Sequence, residues 1–173
     1  MSGIIFLIGM PGSGKTRWGG EAAAFYDLSF VDLDGYIEHL EGKTIKEIFD
    51  EDGEQVFRAM EKNALMALVA QNKAPFILSC GGGTPIDEEN FKLMKSRGCI
   101  VYLEAEPERL FANLQAGMMQ RPLLADSDDP FQQLKKLYEE RKIVYEQADF
   151  ILDTENLSLG DFKKIIETCI EQH

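Results

Sequence analysis

Five short apolar runs, IIFLIG (4–9), FVDLD (30–34), PFILS (75–79), CIVYLE (99–104) and DFILDT (149–154), alternate with longer stretches of helical period. That alternation constrains the fold more than any other feature of the chain. Near-continuous apolar strands need cover on both faces, and helices crossing over between parallel strands provide it. The expected class is therefore α/β, a three-layer α/β/α arrangement around a five-stranded parallel sheet. A chain of 173 residues is long enough for one full core, and no repeat, low-complexity tract or Pro/Gly/Ser-rich linker divides it. A single domain over 1–173 is expected. At the C-terminus Ser158 is placed as an N-cap before a stripe of Leu159, Phe162, Ile166 and Ile170, a helix whose task is packing.

Charge and cysteine usage exclude several functions. The net charge of -12 and a pI near 4.6 repel a polyanionic backbone, and no basic stripe offsets them, so nucleic acid is not an expected partner. The start MSGIIFLIG has neither a basic leader region nor an apolar run that would span a bilayer, so a soluble, cytoplasmic protein without membrane association is expected. Three cysteines, Cys80, Cys99 and Cys169, form an odd set without C-x-x-C spacing, which suggests neither a disulfide framework nor a zinc site. His39 and His173 are too few for a histidine metal cluster.

The first apolar run leads into GMPGSGKT (9–16), where Gly9, Gly14, Lys15 and Thr16 satisfy G-x-x-x-x-G-K-[ST] between a strand and a helix. Such a loop wraps phosphates with its backbone, here at Gly12, Ser13 and Gly14, and a helix N-terminus adds its dipole. Lys15 then reaches the β and γ phosphates and the Thr16 hydroxyl ligates magnesium. ATP is the expected nucleotide, although no motif reads its base.

The second run ends in VDLDGY, and residues two apart on a strand project to one side, which pairs Asp32 with Asp34. Ligands of open parallel sheets bind beyond the carboxyl ends of the strands, where these two residues fall. The third run ends in Ser79 without the acidic residue that often serves magnesium, so Asp32 takes that part and Asp34 orients or deprotonates an attacking hydroxyl. The plainer alternative is an Asp cap on a helix starting near Tyr36, and it suits Asp34 better than Asp32.

An acceptor site is suggested downstream. Glu54, Arg58 and Glu61 fall on one helix face, with Phe49 and Phe57 near in sequence. Such a face is usually solvated ion pairing, yet aromatic rings beside an arginine also suit a small, partly apolar anion. SCGGGTP (79–85) follows the third run, and Gly81, Gly82 and Gly83 there form either a tight turn or a place where ligand approaches backbone. Of the arginines, Arg121 in QRPLL is placed to neutralise charge during transfer, Arg141 precedes the last strand, and Arg97 compensates a helix dipole. Between Leu103 and Phe131 a helix begins at Pro107 and then loses its period, so the segment from about 115 to 130 is expected as a loop over the site.

GMPGSGKT, FVDLDGYIE, IKEIFDEDGEQVFRAME, CGGGTP, QRPLL and ER…Y…AD stand in the order and approximate spacing of the shikimate kinases, which the chain resembles over nearly its whole length. The resemblance implies a P-loop fold with strand order 2-3-1-4-5 and a mobile lid. It implies transfer of the ATP γ-phosphoryl group to the 3-hydroxyl of shikimate, a step toward chorismate and the aromatic amino acids, by a compact monomer. By this resemblance Arg58 and Arg141 pair with the shikimate carboxylate, while Asp34 and the backbone at Gly81, Gly82 and Gly83 hold its hydroxyls. Phe49 and Phe57 flank its ring, Asp32 and Thr16 serve magnesium, Lys15 and Arg121 stabilise the transferring phosphate, and Glu61 orients Arg58. The chain departs from the pattern at Ala112, Asn113 and Gln115, where family members often carry arginines, and at Lys142 and Ile143, where Ala-Pro is usual. The pair Gly19 and Gly20 inside the helix after the phosphate loop is unexplained by sequence. Two other readings remain: a different small-metabolite kinase of this fold, acting on gluconate or nucleoside monophosphates, and a nucleotide-binding module without transferase activity.

Overall fold

The computed structural model describes residues 3–71, 74–115 and 129–170. In chain order the elements are β1 (Ile4–Ile8), α1 (Lys15–Phe25), β2 (Ser29–Asp32), α2 (Leu33–Glu41), α3 (Ile45–Asp52), α4 (Glu54–Gln71) and β3 (Phe76–Ser79). A 3₁₀ turn (Thr84–Ile86), α5 (Glu88–Arg97), β4 (Gly98–Glu104) and α6 (Pro107–Leu114) follow. The last elements are α7 (Pro130–Tyr145), β5 (Phe150–Asp153) and α8 (Leu159–Ile170). The strands form one five-stranded sheet in the order β2-β3-β1-β4-β5, with every pairing parallel.

Burial explains why the apolar runs look as they do. All five residues of β1 are fully buried, because its odd and even side chains enter two different cores. Ile4, Phe6 and Ile8 pack with Leu33, Ile37, Leu65, Met94 and Tyr145 from α2, α4, α5 and α7. Ile5 and Leu7 pack on the opposite face with Ala22, Ala23, Phe162 and Ile165 from α1 and α8. The edge strands β2 and β5 are covered less fully, as their position requires.

Two glycines are set by close approach. A Cβ on Gly98 would stand 1.9 Å from the Ile4 carbonyl oxygen of the paired strand, and one on Gly19 would stand 2.6 Å from the Phe30 ring and 2.8 Å from Leu7. Gly19 thus lets α1 lie against β1 and β2, which accounts for half of the glycine pair that sequence left unexplained.

Two expectations are corrected. The second strand stops at Asp32 rather than reaching Asp34, because the Asp32 side chain accepts a hydrogen bond from the Gly35 amide and starts α2 one residue later. The cap is therefore Asp32 and not Asp34, and the two carboxylates are not two positions along one strand. The second correction is a disulfide between Cys99 and Cys169, where none was expected. Its partners stand 70 residues apart in sequence, and only the fold brings the second residue of β4 beside the last turn of α8. The third cysteine, Cys80, is free and buried.

Candidate active site

The carboxyl ends of β1, β2 and β3 open into a cleft of about 650 Å³. On one side lies the loop between β1 and α1. Gly9, Gly12 and Gly14 adopt φ values of 143°, 87° and 86°, a region that favours glycine, so this curved backbone is available only to such a sequence. The Lys15 ammonium is nearly buried and donates to the carbonyls of Gly9 and Met10, both at 2.9 Å, so it lies folded over its own loop. From α6, Asn113 donates its side-chain amide to the Gly12 carbonyl at 2.9 Å, and Leu110 and Leu114 fill the space a Cβ on Gly12 would take. Asn113 thus joins α6 directly to this loop.

Below the loop, the Thr16 hydroxyl donates to Asp32 Oδ2 at 2.6 Å, while Asp32 Oδ1 is the cap of α2. Asp32 therefore ties the first turn of α1 to the first turn of α2. Asp34, in that turn of α2, also lines the cleft. Proximity of the two aspartates to one cleft survives the correction of strand geometry, because a helix N-terminus at the end of β2 turns Asp34 inward.

The glycine triplet between β3 and the 3₁₀ turn is the crossing point of the site. Added Cβ atoms would meet Glu61 Oε1 at 2.8 Å and Asp34 Oδ1 at 3.1 Å from Gly81, Arg141 Nη1 at 3.1 Å from Gly82, and the Arg58 guanidinium at 2.5 Å from Gly83. None of the three has a positive φ. These positions are glycine because charged side chains from α2, α4 and α7 close on the backbone there, not because the turn is tight.

Arg58 is held by two carboxylates of its own helix, Glu61 at 2.9 Å and Glu54 at 3.2 Å. Burial works against its charge, but these partners more than offset that and hold the guanidinium above its ordinary value. Glu61 is 1 % exposed, and its second oxygen accepts from the Thr84 hydroxyl at 2.6 Å. Phe49 and Phe57 pack with centroids 4.8 Å apart, and the Arg58 guanidinium carbon lies 5.2 Å from the Phe57 ring. Arg141, largely buried on α7, faces Gly82 from the other side. One helical turn later Tyr145 donates its hydroxyl to the Gly82 carbonyl at 2.6 Å. Burial pushes that phenol up to about 12, against the pull of Arg141, so it stays a proton donor at neutral pH.

One cleft thus gathers Lys15, Thr16, Asp32, Asp34, Phe49, Phe57, Arg58, Gly81, Gly82, Gly83 and Arg141, whereas Gly12, Ser13 and Gly14, in the loop before α1, are not among its lining residues. Arg121 and most of the 115–130 segment lie outside the described residues. Among the described residues no group of three or more His, Cys, Asp and Glu is arranged to hold a metal ion. Thr84, within CGGGTP, and Tyr145, the tyrosine of ER…Y…AD, were given no role from sequence. Their signals were slight: Thr84 adjoins the glycine triplet, and Tyr145 shares a helix face with Arg141 at i, i+4.

A family model described as shikimate kinase matches residues 11–171. A shikimate kinase from Persephonella marina is 38% identical over 154 residues, covering 89% of this chain and 90% of the relative. One from Thermus thermophilus is 36% identical over 169 residues, 98% of this chain and 89% of the relative. Among solved structures, a shikimate kinase from Acinetobacter baumannii in complex with shikimate superposes with a TM-score of 0.87 at 32% identity, covering 99% of this chain and 95% of that one. Membership of this kinase family implies the use of ATP, which agrees with the phosphate loop. A family match over residues 11–171 and relatives 36% and 38% identical over most of the chain leave one assignment: the chain belongs to the shikimate kinase family and is a kinase.

Proposed function

We propose that the chain transfers the γ-phosphoryl group of ATP to the 3-hydroxyl of shikimate, yielding shikimate 3-phosphate and ADP on the route to chorismate. The observation that carries this is the convergence of Arg58, Arg141 and Asp34 on the glycine triplet, within the cleft that also holds Lys15. A ring acid with vicinal hydroxyls needs guanidinium forks at one end and an acceptor near the reacting oxygen at the other. Arg58 and Arg141 supply the forks, from either side of Gly82 and Gly83. Phe49 and Phe57 supply an apolar wall. The backbone at Gly81, Gly82 and Gly83 and the Asp34 carboxylate take the hydroxyls.

In the step itself the 3-hydroxyl oxygen bonds to the γ-phosphorus and the bond from that phosphorus to the β,γ-bridging oxygen breaks. Asp34 accepts the hydroxyl proton, and ADP leaves with the bond's electron pair. Lys15, released from the Gly9 and Met10 carbonyls, and the amides of Gly12, Ser13 and Gly14 take up charge on the phosphates. Arg121 is proposed to add a further cation from the 115–130 segment, acting as a lid. Thr16 and Asp32 present a hydroxyl and a carboxylate 2.6 Å apart, a hard oxygen pair that suits magnesium, which dehydrates little and needs only one or two protein ligands. Thr16 and Asp32 would hold such an ion, and its positive charge would offset the negative charge of the phosphates during transfer. No described helix is long and apolar enough to cross a membrane, and a cytoplasmic monomer of one domain is the form we propose.

The test is ADP release by the purified protein with ATP and magnesium, with shikimate, gluconate and nucleoside monophosphates offered separately. Stimulation by shikimate alone is expected. Stimulation by another acceptor, or ATP binding without any turnover, would overturn the assignment of the acceptor.

A further inference from the structure

Arg58 can present its fork to a substrate only while its long side chain is held in one orientation, and the structure shows what holds it. Glu61 is the inner partner, and with 1 % exposure it has almost no access to water. A buried carboxylate is costly unless both oxygens are satisfied, so its second donor matters as much as its first. That donor is Thr84, fully buried, whose hydroxyl lies 2.6 Å from Glu61 Oε1 while Arg58 Nη1 lies 2.9 Å from Oε2. The two donors reach the two oxygens from different elements and fix the carboxylate plane between them.

Thr84 is itself tied on its other two polar groups. Its amide donates to the Gly81 carbonyl at 3.1 Å, closing the glycine turn, and its carbonyl accepts from the buried Asn90 side chain of α5 at 3.1 Å. Its hydroxyl also lies 3.1 Å from the position of a Cβ on Gly81. One residue therefore sets the glycine turn on one side and the Glu61–Arg58 pair on the other. We infer that Thr84 is a positioning residue for the acceptor acid: through Glu61 it aims the Arg58 guanidinium at the substrate carboxylate while holding the glycine backbone opposite. This rests on the reading of Arg58 as the carboxylate anchor.

The experiment is steady-state kinetics with ATP and shikimate on Thr84→Val, which keeps the shape and removes the hydroxyl. Thr84→Ala controls for packing, Thr84→Ser keeps the hydroxyl, and Arg58→Ala is run alone and combined with Thr84→Val. Loss of a hydrogen bond to a buried charge predicts that Thr84→Val and Thr84→Ala raise the shikimate KM about tenfold, with kcat and the ATP KM within about twofold. Thr84→Ser should recover most of that loss. In the Arg58→Ala background Thr84→Val should add less than about twofold, because its route to the substrate is already gone.

If Arg58→Ala raises the shikimate KM and the Thr84 variants do not, the Thr84 inference falls and the site reading stands. If none of them raises it, both fall. Equal changes in the two KM values, a serine variant as impaired as the valine one, or additive effects with Arg58→Ala would reduce Thr84 to a packing residue.

Discussion

At the scale of single residues, the glycine triplet is decided by what surrounds it rather than by its backbone. A Cβ on Gly83 would stand 2.5 to 2.6 Å from three atoms of the Arg58 guanidinium, the far end of a flexible side chain. A Cβ on Gly98 would stand 1.9 Å from a backbone oxygen that the sheet fixes. Alanine at the two sites should therefore fail differently. Gly83→Ala should fold with a melting temperature within a few degrees of the parent, because an arginine end can move, but its shikimate KM should rise about tenfold or more, the cost of losing a charge-assisted contact. Gly98→Ala should lower stability by several kcal/mol or prevent folding, because β1 and β4 cannot separate locally. Melting curves and KM values on the two purified variants check this, and a Gly83→Ala protein with an unchanged shikimate KM would show that Arg58 is not needed where the structure puts it. Sequence could place the triplet at a strand end, where ligands sit. It could not show that four charged side chains from three helices crowd the missing Cβ positions, since nothing local to Gly81, Gly82 or Gly83 records Glu61, Asp34, Arg141 or Arg58.

At the scale of elements, the strands were legible because burial on two faces leaves continuous apolar runs, and β1 is the clearest case, with every residue fully buried. Boundaries were less legible. FVDLD reads as strand throughout, yet Asp32 is a better helix cap than a strand residue once Gly35 offers its amide. The helix α1 carries the same lesson in its glycine pair. Gly19 faces Phe30 and Leu7 at under 3 Å, whereas a Cβ on Gly20 would be 4.0 Å from Phe30, an ordinary contact. Gly20→Ala should thus stabilise the protein by up to about 1 kcal/mol, the helix-propensity difference. Gly19→Ala should destabilise it by roughly 1–3 kcal/mol through overpacking. Denaturant melts of both variants test the contrast, and a Gly19→Ala protein as stable as Gly20→Ala would mean that α1 does not lie as close to the sheet as described.

At the scale of the whole molecule, chemistry and bracing occupy opposite ends of the sheet. The cleft opens at the carboxyl ends of the strands, while Cys99 is the second residue of β4 and Cys169 sits in the last turn of α8. The phosphate loop was legible because its chemistry is local, eight residues in a row. The disulfide was not, because two cysteines 70 residues apart meet only after β4 and α8 have packed. A crosslink of that span restricts the unfolded chain, and the chain-entropy estimate for it is about 4 kcal/mol, or on the order of 10 °C in Tm for a chain of this size. The oxidised protein should therefore melt well above the same protein reduced with a phosphine, by up to that amount, and Cys169→Ser should show no difference between the two conditions. Turnover below the lower melting transition should be the same in all three preparations, since the bond joins elements remote from Lys15, Asp34 and Arg58. Coincident melting of oxidised and reduced protein would mean the thiols are not joined in solution. Equal stability gain accompanied by a change in the shikimate KM would mean that α8 and the cleft are coupled through the sheet, contrary to the separation of the two ends.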